Sequence, residues 1–244
     1  MVDIAIPFIF NNMKKEKGDF DASRTFLYEH CLKEWWPALD ANRQVFRYKR
    51  GEIVFNEGDE VKGVFFLAEG VVKIHKRWAD GKDLVVRFAR QRDIIGHRGL
   101  STYTHIYPIT ATVLADTTVC YISIDFFHTT LKVNPGFANA FLMFMADELM
   151  LSEQRMRDMA HMQVKGRVAK AILAIEDTFG TDANGFLSFA ISRQDIASYT
   201  GAAYETVYKL LMEFSEAGMI KTIGKDIAIT DRDALEMLTH QPGQ

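Results

Sequence analysis

The sequence predicts an α+β protein in three parts: a β-rich domain with the strand pattern of a sandwich or barrel, one long helix, and a small helical domain closed by a hairpin. Three observations carry this. Short apolar runs separated by glycines fill residues 44–123, the pattern of a sheet folded on itself. From Pro135 the text turns helical, and between Gly136 and about Met159 it has neither Gly nor Pro. Beyond Gln163, two helical segments meet at Gly201, and two short apolar runs flank Gly224-Lys-Asp226.

A length of 244 residues suits more than one domain. Charged residues make up 25% and hydrophobic ones 48%, ordinary for a soluble globular chain. The balance of 29 Lys and Arg against 32 Asp and Glu gives a net charge of −3. That excludes a histone-like, strongly basic protein but not a local basic site. The two cysteines, Cys31 and Cys120, cannot build a disulfide framework or a four-cysteine iron–sulfur cluster. A single disulfide stays open, but two buried thiols in a reducing compartment are the preferred reading. The apolar stretches fall well short of the roughly 18 residues a membrane span needs. Met1–Phe10 is apolar yet lacks the basic leader of a signal peptide. A cytoplasmic chain with no membrane partner is expected.

The strands come first. Glu52–Phe55, Val64–Leu67, Val71–His75, Leu84–Phe88 and Thr110–Leu114 are short and β-rich. Asp80-Gly81 reads as a hairpin turn between two of them. In the long helix, Asn134 stands as N-cap and Pro135 suits the first helical position. The helix carries two apolar stripes. Phe137, Phe141, Phe144 and Leu151 would pack on the β domain. Leu142, Met145, Leu149, Ser152, Met156 and Met159 recur at alternating three- and four-residue steps. That is a coiled-coil seam and predicts a two-fold dimer; a helix buried on two sides within one chain is the alternative. A helix from Val164 to about Phe179, a polar turn at Gly180 and a short strand Phe186–Ile191 follow.

The strongest signal is Ser192–Leu211. Ser192, with Asp195 three residues on, makes an N-capping arrangement. A first helix runs to Tyr199, small Ala197 lets a second helix cross closely, and Gly201 supplies the tight turn. The second helix, from near Ala203, has Val207, Leu210, Leu211 and Phe214 on its inner face. Tyr204, Glu205, Tyr208 and Lys209 point outward. This is a helix-turn-helix. The hairpin behind it, Met219–Ile223 and Ile227–Thr230, makes it a winged helix, with a plain αα-hairpin packed in a core as the alternative.

Taken in order, Gly51–Asp59, Phe65–Gly70, Asp93-Ile-Ile-Gly96, Val164–Ala169 and the winged helix resemble the transcription regulators of the CRP/FNR family, named for the cyclic-AMP receptor protein. The likeness covers nearly everything after about residue 24. It implies a cyclic-nucleotide-binding-like β-roll, also called a double-stranded jelly roll, that senses an effector over residues 1–134 with an N-terminal helical segment. Residues 135–162 would be the dimerisation helix and hinge, and 163–244 the winged-helix DNA-binding domain. It further implies a homodimer on a two-fold symmetric operator, with RNA polymerase as a partner if the protein activates.

In such a motif the second helix enters the major groove. The family's reading trio is Arg, Glu and a further Arg; Tyr204, Glu205 and Lys209 stand at the matching positions. Glu205 suits a cytosine amino group and Lys209 guanine acceptors, whereas Tyr204 cannot form the bidentate guanine contact. An operator differing from the commonest half-site is expected. Ser192, Arg193 and Thr206 are candidate phosphate contacts. Lys165, Arg167 and Lys170 form a basic face, for which a merely solvated face is the alternative.

The family's nucleotide pocket uses a Glu after a Gly and, about ten residues on, an Arg-Ser pair for the cyclic phosphate. Here Gly96 is followed by His97 and Arg98, and the Arg-Ser positions hold Tyr107 and Pro108. Loss of the guanidinium removes a charge-assisted anion contact, which disfavours cyclic AMP or GMP. Gly96, His97, Arg98 and Tyr107, with Ser152 on the seam, suit a small organic or anionic effector; surface residues without a ligand are the alternative. His75, His97 and His105 admit haem, but no spacing singles out an axial pair. Thiol redox sensing through the two cysteines also stays open. A cyclic-nucleotide signalling module without DNA binding is the competing class. No nucleophile elbow, phosphate loop or metal motif points to an enzyme.

The charge is unevenly spread. Residues 163–244 hold 8 Lys and Arg against 11 Asp and Glu, so the acidity lies in the domain assigned to DNA. Specific binding should therefore rest on a few placed cations rather than on bulk attraction.

Overall fold

A computed structural model describes residues 21–77 and 83–240. The Met1–Phe10 and Asp80-Gly81 readings lie outside the described residues. The chain divides into two compact units. One runs to His75 and from Phe88 to Phe141; the other comprises Lys76–Arg87 and everything from Leu142.

The first unit opens with helices α1 (Phe26–His30) and α2 (Trp36–Asn42). The strands are β1 (Gln44–Tyr48), β2 (Ile53–Phe55), β3 (Gly63–Arg77), β4 (Asp83–Ala89), β5 (Ile94–Ile95) and β6 (Thr110–Ser123). They form one sheet in the order β1-β6-β3-β4, with β2 on β6 and β5 on β3. The pairs β1–β6 and β3–β6 are antiparallel, and Tyr121 of the central β6 faces Gln44 on one side and Phe65 on the other. The two expected strands 64–67 and 71–75 are one long strand whose register shifts between Leu67 and Val72. Helix α3 (Ile124–Val133) follows at once, capped by Ser123.

Aromatic rings fill the interior. Phe55 stacks on Tyr107 at 4.1 Å and on Phe65 at 5.6 Å, and Phe65 meets Tyr121 at 5.0 Å. Helix α4 (Pro135–His161) begins by burying Phe137 against Phe26, Phe66 and Phe127. Asn134 accepts the first helical bond, from the Ala138 amide, through its carbonyl. Its side chain, however, does not cap α4: the amide oxygen accepts from Leu32 N–H at 3.0 Å. Of the stripe expected to pack on the β domain, Phe137 is buried, whereas Leu151 is exposed.

The second unit contains α5 (Val164–Phe179), α6 (Arg193–Thr200), α7 (Tyr204–Glu216), the hairpin β7 (Ile220–Ile223) and β8 (Asp226–Ile229), and α8 (Arg232–Thr239). Its core gathers Val168, Ile172 and Ile175 of α5, Ile196, Val207, Leu211, Phe214 and Leu235. The expected strand Phe186–Ile191 is not regular. Only single bridges, Thr181 with Leu187 and Phe186 with Ala228, attach it, because Phe189 and Ile191 turn into the core instead of continuing a ladder. At Gly166 a methyl group would lie 2.7 Å from the Leu238 carbonyl oxygen, so glycine is what lets α5 and α8 approach.

Candidate nucleic-acid interface

The helix-turn-helix is built as its local chemistry dictates. The Ser192 hydroxyl accepts from the Asp195 amide at 3.0 Å and donates to the Asp195 carboxylate at 2.5 Å, closing the first turn of α6. Ala197 is fully buried. Gly201 sits at φ 62, the left-handed region, where a side chain would be strained. A methyl there would also meet the Met159 Cε at 2.7 Å, so Met159 packs against this turn.

Helix α7 turns Val207, Leu211 and Phe214 inward. Tyr204, Glu205, Thr206, Tyr208 and Lys209 are all exposed on the other side. One helix thus presents a carboxylate, an ammonium, a hydroxyl and two phenols together. Its side chains offer both donors and acceptors, the requirement for reading base edges.

The remaining predicted cations divide into two groups. Lys165 is ion-paired with Glu213, and Lys170 with Asp158. The Arg167 guanidinium donates to the Thr200 carbonyl at 2.9 Å and the Met162 carbonyl at 2.8 Å. The basic face expected at the start of α5 is therefore largely committed within the fold. Arg193 donates to the Gly224 carbonyl at 3.0 Å and lies near the hairpin tip. Sequence reasoning passed over Lys221 and Lys225, both exposed on the β7–β8 hairpin. Among the described residues neither they nor Lys209 pair with a carboxylate. Their signal was the Gly224-Lys225 turn itself, which places lysine at the tip of a wing.

Elsewhere in this unit Arg155 of α4 donates to the Val85, Val86 and Tyr199 carbonyls and stacks on the Tyr199 ring at 4.2 Å. Burial opposes ionisation of Asp158, yet the bonds from Lys170 and Arg157 outweigh it and hold the carboxyl below the usual range. On the predicted seam, Leu142, Leu149 and Met156 are 60%, 61% and 69% exposed. Met145, Ser152 and Met159, which alternate with them, are partly covered.

The predicted effector residues lie together in the first unit but differ in availability. Gly96 takes φ 84 and leads into a short 3-10 turn, His97–Gly99. His97 is buried, and its Nδ1–H donates to the Ile94 carbonyl at 3.0 Å; it is not a surface residue. Arg98 is half-exposed. Tyr107 is buried, stacked on Phe55, and its hydroxyl donates to the Gly63 carbonyl at 2.8 Å. Burial pushes its pKa up to about 12, so it stays a neutral phenol. Cys31 and Cys120 are free and buried, and burial pushes each thiol up to about 12. Both stay protonated near neutrality, which makes them poor nucleophiles.

Comparison with known proteins agrees with this geometry. The family model "Cyclic nucleotide-binding domain" matches residues 45–134, and "Crp-like helix-turn-helix domain" matches 166–238. A "CRP-like cAMP-activated global transcriptional regulator" of Mycobacterium tuberculosis is 30% identical over 81% of this chain and 89% of its own. The "Transcriptional activator protein FnrA" of Stutzerimonas stutzeri is 27% identical over 75% of each. The structure of FixK2 from Bradyrhizobium japonicum shares the fold with a TM-score of 0.72 at 22% identity, covering 82% of this chain and 99% of that one. These relatives are regulators rather than enzymes, and no helix among the described residues is long and apolar enough to cross a membrane. A β-sheet domain matched by a nucleotide-binding family, a long helix and a winged reading head, shared along four-fifths of the chain with a 30% identical relative, place the protein in the CRP/FNR family of DNA-binding transcription regulators.

Proposed function

We propose that the protein acts as a homodimer on a two-fold symmetric DNA site, under the control of a small organic or anionic effector other than a cyclic nucleotide. The observation that carries the DNA reading is the α7 face: Tyr204, Glu205, Thr206 and Lys209 stand exposed while Val207, Leu211 and Phe214 anchor the helix. Glu205 and Lys209 read bases. Arg193 and Thr206 hold phosphates, joined by Lys221 and Lys225; Ser192, whose one hydroxyl proton goes to the Asp195 carboxylate, serves as the helix cap instead. Lys165 and Arg167 contribute less, since each already has partners within the fold.

The dimer reading is supported by Leu142, Leu149 and Met156, which repeat every seven residues and are more than half exposed. Large apolar side chains at heptad spacing suit a second copy of the same helix. For the effector, Tyr107 stands where the family carries a phosphate-binding Arg, and its hydroxyl is already taken by Gly63. A ligand there would meet Arg98 as the cationic group, with the ring of Tyr107 as a wall. The M. tuberculosis relative is described as cAMP-activated; in this chain Tyr107 replaces the Arg that the resemblance assigns to the cyclic phosphate.

Selection of bound duplexes from a random pool tests the reading. A symmetric enriched site is expected, and Glu205→Ala should relax preference at one position per half-site, where a mismatch costs about 1–3 kcal/mol. No enriched site, with or without candidate effectors, would sink it.

A further inference from the structure

Tyr208 has no role in the assignments above. It is 44% exposed on the outer face of α7, one turn beyond Tyr204. Its ring lies under the guanidinium of Arg193, with the guanidinium carbon 5.6 Å from the ring centre. The same guanidinium reaches the other way, to the Gly224 carbonyl at 3.0 Å. Gly224 closes the β7–β8 hairpin between Lys221 and Lys225. One arginine, from the first residue of α6, thus spans the face of α7 and the tip of the wing.

We propose that Tyr208 is a positioning residue: its ring seats Arg193, and the seated Arg193 fixes the wing tip against the reading helix. The physical basis is twofold. A cation over an aromatic face is attracted to the ring quadrupole. An arginine has five N–H donors in a planar fork, so one bond to Gly224 leaves donors for a phosphate. The seat removes rotamer freedom that a long side chain would otherwise lose on binding. Lys221 and Lys225 are thereby held in register with Glu205 and Lys209, and the helix and wing present one surface. This rests on the DNA reading above, and the test separates the two.

The first arm uses the free protein. NMR order parameters of Gly224 and Lys225 should fall from rigid values near ~0.85 towards the flexible range below ~0.6 in Tyr208→Ala and in Arg193→Gln, and stay unchanged in Tyr208→Phe, which keeps the ring. A wing equally rigid in Tyr208→Ala overturns the proposal whatever the protein binds. The second arm uses a duplex enriched from the random pool. Tyr208→Ala should weaken binding about two- to fivefold, the range for a partly exposed cation–π pair, and Tyr208→Phe should restore it. In the Arg193→Gln background Tyr208→Ala should have no further effect, because the ring acts through the guanidinium. A loss that persists in that background would mean Tyr208 touches DNA itself, and the seat would be wrong. Failure of the unmodified protein to enrich any duplex would sink the DNA reading, leaving the seat to be decided by the first arm.

Discussion

Salt titration gives the most demanding check on how this acidic reading head holds DNA. Residues 163–244 contain eight Lys and Arg. Carboxylates hold Lys165, Lys170 and Arg232, the last through Glu176, Asp177 and Glu236 at 2.5, 2.7 and 2.8 Å. Two carbonyls hold Arg167. Arg193, Lys209, Lys221 and Lys225 remain. On the proposed reading, with Lys209 on bases, three cations per subunit would meet phosphates, about six in a dimer. At about −0.9 per phosphate, log K against log salt should fall with a slope of about −5. Were every Lys and Arg engaged, it would be about −14. Affinity should then drop about 10³-fold from 50 to 200 mM KCl, measured by fluorescence anisotropy on a selected duplex. Glu213→Gln should release Lys165 and steepen the slope by about two, one per subunit. A slope of −10 or steeper in the unmodified protein would refute the division of cations. An unchanged slope in Glu213→Gln would refute the view that Lys165 is held back.

Other outcomes follow from the packing and the ion pairs. Leu149→Glu puts a charge at the centre of the exposed heptad row and should shift the protein to a monomer by light scattering, with loss of DNA binding; a dimer of unchanged affinity would remove α4 as the interface. Gly166→Ala would gain about 1 kcal/mol in helix propensity but press a methyl against the Leu238 main-chain oxygen, which no rotamer change relieves. Overpacking costs about 1–3 kcal/mol, so calorimetry should show a net loss of about 1 kcal/mol and a Tm lower by about 2–4 °C; stabilisation would contradict the close approach. Asp158 has a depressed folded pKa, so its contribution is complete above about pH 4 and is lost as pH falls through the folded value. The Tm gap between the unmodified protein and Asp158→Asn should be about constant from pH 5 to 7 and narrow below pH 4. A gap that widens in acid would reverse the sign.

Much of the winged helix was legible because local rules fix it. Ser192 capping through Asp195, Gly201 in the left-handed region and the Gly224 turn each need only neighbours in sequence. Side chains whose role depends on distant partners were not legible. Arg167 reads as a basic surface residue, yet its donors meet Met162 and Thr200. Tyr107 reads as the aromatic of an effector pocket, yet Phe55 and Gly63 claim it. Helix α3 escaped notice because Phe126, Phe127, Thr129 and Thr130 are strand-favouring types; tertiary burial of Phe127 overrides that preference. Helix α8 is only eight residues long, too short for apolar periodicity to announce it, although Asp231 accepts from the Ala234 amide at its start. The strand at Phe186–Ile191 was a misreading of alternation: its apolar residues fill a core rather than a ladder.

The two bonds of Arg167 also bear on mechanics. Met162 lies just after the long helix and Thr200 just before the Gly201 turn, and one guanidinium grips both carbonyls. It acts as a weld across the joint rather than a pivot in it. Met162 and Thr200, thirty-eight residues apart in sequence, are thereby tied through one side chain. Moving the Thr200 corner away from Met162 would have to break both bonds at once. The segment after the long helix and the turn before the recognition helix are held as one piece.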